Sequence, residues 1–73
     1  MDIPAARRKL AECEDAARRF AVEAEALRKS LESPDADELG SDARARVLNR
    51  IGRLLAIAEA KWKKADRLRE IIP

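Results

Sequence analysis

The chain has 73 residues, 47% of them hydrophobic and 41% charged, with a net charge of +2, one cysteine and no histidine. A lone cysteine excludes an internal disulfide, and without histidine the usual structural zinc site is excluded as well. So small a net charge argues against strong electrostatic capture of polyanions, and a chain this short seldom stabilises a core without very regular packing or association.

Alanine, glutamate, arginine, lysine and leucine dominate, the mix of long helices and bundles. Met1-Asp2-Ile3-Pro4 has neither the charged nor the apolar region of a signal peptide. No apolar stretch approaches the roughly 20 residues needed to span a bilayer. Together with an unpaired cysteine, these features lead us to expect one soluble domain over 1–73, in a reducing cytoplasmic compartment and without a targeting signal.

The first predicted element is a helix over about 3–32. Asp2 is placed to cap it, and Pro4 falls in the first turn, where its missing N–H costs nothing. Ile3, Ala6, Leu10, Cys13, Ala17, Phe20, Ala24, Leu27 and Leu31 recur at alternating steps of three and four. That is an unbroken heptad seam. Charged residues surround it, several at helical pair spacing, such as Glu14 with Arg18 and Glu25 with Lys29.

Ser33-Pro34 ends the helix, because the residue before proline is pushed out of the helical region. Ser33 is expected to cap a single turn from Pro34 to Leu39, with Asp35, Asp37 and Glu38 near its start and Gly40 closing it. Leu39 is expected to plug the open end of the core. Ser41-Asp42 then restarts a helix as cap and first-turn acid.

The second helix is expected over about 42–72. Val47, Leu48, Ile51, Leu54, Leu55, Ala58, Trp62, Ala65, Leu68 and Ile72 form its apolar stripe. At 100° per residue the stripe covers roughly 160° of the helical wheel. A single partner helix needs only a narrow line, so the excess points to a second contact.

Two helices of similar length joined by a short connector predict an all-α antiparallel hairpin. A register in which facing residue numbers share one sum pairs Leu27 with Leu48, Ala24 with Ile51, Phe20 with Leu55, Ala17 with Ala58, Cys13 with Trp62, Leu10 with Ala65 and Ile3 with Ile72. In that register the Ala17–Ala58 layer is nearly empty, while Leu54 and Ile57 point away from the first helix. A second hairpin would fill the gap and cover those side chains, giving a four-helix bundle. We therefore expect a homo-oligomer, a two-fold dimer first of all, with Val47, Leu54, Ile57, Ala58, Trp62 and Ala17 at the self-association interface.

No catalytic, cofactor or metal site is expected, and the chain is not read as an enzyme. Cys13 has no histidine to activate it as a nucleophile and suits a small apolar filler on the seam. Trp62 serves packing or an interface anchor. Lys61, at the seam's edge, suits a snorkelling side chain better than a Schiff-base amine. Gly52 weakens a good helix and allows three readings: close approach of a partner helix, room for a ligand, or a kink. The acids form no paired-carboxylate constellation, and no phosphate-binding or dinucleotide fingerprint is present. From Ala43 onward nine basic residues stand against three acids. Their scatter around the helix and the lack of an exposed aromatic ladder argue against nucleic-acid binding, and the asymmetry suits antiparallel pairing of the helices instead.

Hairpin length, heptad seam and the acidic connector Asp35-Ala36-Asp37-Glu38 resemble the Rop-type dimeric hairpin, though no match for that family's RNA-contacting surface is found. Over its whole length the sequence also resembles computationally designed helical bundles: Ser-Pro-Asp at a helix start, Gly-Ser-Asp between helices, Ala/Glu/Arg-rich surfaces and the terminal Ile71-Ile72-Pro73. Local signals agree with the global pattern throughout, Cys13, Gly52 and Val22 excepted. The expected function is a structural or interaction module that self-associates through the apolar face of the second helix. The alternatives are a helix-in-groove module for another protein and a Rop-like RNA binder.

Overall fold

The computed structural model describes residues 2–73, and their side chains apart from those of residues 35 and 36. It is an all-α antiparallel hairpin. Helix α1 is Ile3–Glu32, a 3-10 turn follows over Pro34–Glu38, and helix α2 is Ser41–Ile71. The two helices pack along their length in a rod 53 Å long and about 15 Å across.

The helix ends follow from the local sequence, with two differences from expectation. Asp2 stands at the N-cap of α1 with extended backbone, and its carbonyl accepts the Ala6 N–H at 3.0 Å, but its carboxylate makes no capping bond. Ser33 leaves the helix with φ −66° and ψ 146°, the extended conformation that Pro34 imposes on its predecessor. Gly40 does not close the 3-10 turn in a left-handed conformation. Its φ of −63° and ψ of 159° make it the N-cap of α2, with its carbonyl accepting the Arg44 N–H at 3.0 Å. Ser41 is thus the first helical residue rather than the cap, and Asp42 lies in the first turn, where the helix dipole favours an acid. The side chain of Asp35 lies outside the described residues.

On α1 the heptad seam is the covered face. Ala6, Cys13, Ala17 and Ala24 are buried, and Leu10, Phe20, Leu27 and Leu31 are half-buried. On α2 the covered face differs from the expected one. Val47, Ile51, Leu54, Ala58, Lys61, Ala65, Leu68 and Ile72 are buried or half-buried, and they too step by four and three. Counted in opposite directions, the two sets match one to one, from Ala6 with Ile72 to Leu31 with Val47. Leu48 and Leu55, expected opposite Leu27 and Phe20, are instead 53% and 50% exposed. Ile3 is also exposed, as is Leu39, which does not plug the end of the core.

The core is made of small residues. Leu54 is its one large member among the described residues, and no large side chain there is fully buried. Ala17 and Ala58 do not share a layer: this pairing sets Ala17 against Lys61 and Ala58 against Phe20, and both alanines are covered, at 0% and 4% exposure. Small side chains let two helices approach closely, so the chain covers both positions and the expected empty layer does not arise.

Charges complete the pairing. Arg50 reaches Glu23 across the hairpin at 2.8 Å and Arg69 reaches Glu14 at 3.1 Å, in each case a base of α2 meeting an acid of α1. The uneven distribution of charge along the chain thus favours the antiparallel arrangement, each exposed pair adding at most about 1 kcal/mol. Within α1, Arg28 bridges Glu25 and Glu32, and its guanidinium hydrogen bonds hold the Glu25 carboxyl below the usual glutamate range.

Candidate interaction surface

The interhelical ion pairs divide the rod into two sides. Along α2, Leu48, Leu55 and Trp62 recur every seven residues, about two turns, so they stand in one row. This row lies on the flank of the covered seam that also carries Arg69, whose partner is Glu14. Leu48 and Leu55 are half in solvent, Trp62 is half-buried, and Gly52 lies nearby, where a Cβ would meet open space among the described residues. α2 runs through Gly52 without interruption. Among the described residues no segment packs against the missing side chain.

The other flank is different in chemistry. Arg46, Asn49, Arg50 and Arg53 line a shallow open groove with Leu54 and Ile57. Basic residues that look scattered along the sequence are therefore partly gathered, though Arg50 is already engaged by Glu23. Ile57 is an exposed apolar residue on this arginine-rich side.

The six residues expected at the self-association interface do not form one surface. Ala17, Leu54 and Ala58 are buried in the hairpin's own seam, and Val47 is half-buried there. Leu54 does not point away from α1, because the seam of α2 is centred on it rather than on Leu55. Ile57 and Trp62 retain exposure, but on opposite flanks of α2. Leu48 and Leu55, expected in the seam, hold the exposed apolar area instead. Only the excess width of the stripe signals this in the sequence, and width alone does not say which edge stays outside.

Cys13 is buried on the seam and forms no disulfide. Lys61 is half-buried. Among the described residues no group of histidine, cysteine and carboxylate side chains is placed to hold a metal ion. No helix of the described residues is long and apolar enough to cross a membrane.

No protein-family model matches the chain, and no curated protein or solved structure matches it.

Proposed function

We propose that the protein is a non-enzymatic structural module whose activity is self-association through the apolar flank of α2, and that it is a designed helical bundle working in a reducing, cytoplasmic setting. The observation that carries this reading is the row of Leu48, Leu55 and Trp62, with both leucines half in solvent beside an already apolar seam. The thinness of the core supports it. A domain this small, whose buried residues are mostly alanines, gains little from its own packing and much from a second apolar contact. The designed origin rests on the agreement of periodicity and charge placement along the chain.

Sedimentation equilibrium over a concentration series tests the association. A mass rising from the 8.2 kDa of one chain to twice that value is the expected result. A single 8.2 kDa species up to high micromolar concentration would remove the reading.

A second reading draws on the groove of Arg46, Arg50 and Arg53. Three arginines along one flank suit a phosphate backbone, and binding of an RNA hairpin that weakens steeply with added salt would favour it.

A further inference from the structure

The apolar row on α2 is symmetric about its centre. Leu48 and Trp62 stand seven residues to either side of Leu55, and Arg44 and Asp66 stand eleven to either side. At 100° per residue all five fall within roughly 40° of one line along the helix. Arg44 has no ion pair among the described residues, and Asp66 has only its neighbour Arg69, at 2.6 Å.

A two-fold contact places residue i against residue j and, by symmetry, j against i. Consider two copies of α2 laid antiparallel with the axis at Leu55. Leu55 then meets its own counterpart, Leu48 meets Trp62 of the second copy, and Arg44 meets Asp66 of the second copy, each of the latter two contacts occurring twice. Laid parallel, the same row sets Arg44 against Arg44 and Asp66 against Asp66. Apolar matching allows both arrangements, and charge selects the antiparallel one.

Resting on the self-association reading above, we propose that the partner is a second copy of this chain, docked by antiparallel pairing of α2 helices across a two-fold axis at Leu55. Arg44 and Asp66 act as the charged clasps that fix its direction. The result is a four-helix assembly in which the arginine groove of each hairpin remains outside the contact.

Charge reversal tests the geometry. Arg44 and Asp66 are 22 residues apart on one helix, about 33 Å, so they do not couple within a chain. R44E and D66R are each expected to weaken the homodimer by roughly tenfold or more, since each turns two attractive contacts into repulsive ones. The R44E/D66R double variant is expected to regain wild-type association. An equimolar mixture of the two single variants is expected to form a mixed dimer tighter than either alone, because every clasp in it is attractive. R44E leaves the Asp66–Arg69 pair in place, so its weakening of the dimer reports independently of the loss that D66R causes. Wild type that is monomeric throughout overturns the self-association reading itself. A wild-type dimer with no recovery in the double variant or the mixture overturns this pairing while leaving self-association standing.

Discussion

Leu54 and Leu55 are neighbours in sequence and opposites in environment: the first is 6% exposed, against α1, and the second 50% exposed on the flank. Their consequences on truncation separate accordingly. Leu54→Ala removes the one large buried side chain among the described residues and is expected to destabilise the hairpin by about 2–5 kcal/mol. Leu55→Ala is expected to leave the fold of the single chain nearly unchanged and to weaken self-association. Urea denaturation at a concentration low enough to keep the chain monomeric measures the first effect, and sedimentation the second.

The full coverage of the layer that holds Ala17 yields a complementary expectation. Ala17 is fully covered and Ala58 nearly so, which leaves no room for a larger side chain between the helices. Ala17→Leu forces α1 and α2 apart and is expected to cost about 1–3 kcal/mol. If the layer held a gap waiting for a partner, the same substitution would be neutral or stabilising. The midpoint of urea unfolding distinguishes the two.

The first helix is legible in the sequence almost residue by residue, because its apolar positions form one narrow heptad line with no competing alternative. The second helix offers two lines within a broad stripe. One runs through Leu48 and Leu55, the other through Val47, Leu54, Lys61 and Leu68. Each line carries one base, Arg69 in the former and Lys61 in the latter, and both share Ile51, Ala58, Ala65 and Ile72, so apolarity alone does not choose between them. The structure takes the line with Lys61, which covers Leu54 and Leu68, and a lysine can lay its stem along the seam while its amine reaches water. The expected places of Leu54 and Leu55 are exchanged for the same reason: choosing the other line turns the inside of α2 into its flank.

Cys13 gives a direct probe of how firmly the two helices are closed. It is buried on the seam beyond reach of a bulky reagent. Labelling by a thiol-specific disulfide reagent is expected to be slow in buffer and to accelerate with urea in step with the unfolding equilibrium. Rapid labelling in the absence of denaturant would mean that α1 and α2 separate easily around this position.

The Arg28–Glu25 pair sets a small pH dependence. Hydrogen bonding to Arg28 lowers the Glu25 pKa in the folded state. A depressed carboxylate pKa contributes stability above the unfolded-state value, and that contribution is lost as pH falls through the lower, folded value. The side chain is at the surface, so the effect on overall stability is slight, but the carboxyl carbon reports it directly. In a titration followed by NMR, Glu25 is expected to titrate below the ordinary glutamate range and to return toward the ordinary value in Arg28→Ala.

Lys61 occupies a seam position that an apolar residue fills in every other turn of that line, and a charged group at one such site lowers stability while fixing register. Lys61→Leu is expected to raise the stability of the hairpin by about 1 kcal/mol, through apolar area gained at a half-buried site. The same change removes the feature that distinguishes the Val47–Leu54–Leu68 line from its neighbour, so the variant is expected to sample more than one register. Denaturation gives the stability, and the proton–nitrogen NMR spectrum gives the register. A higher unfolding midpoint with extra or broadened amide peaks fits this role for the lysine, whereas a higher midpoint with one sharp set of peaks would show that the alanines of α1 fix the register by themselves.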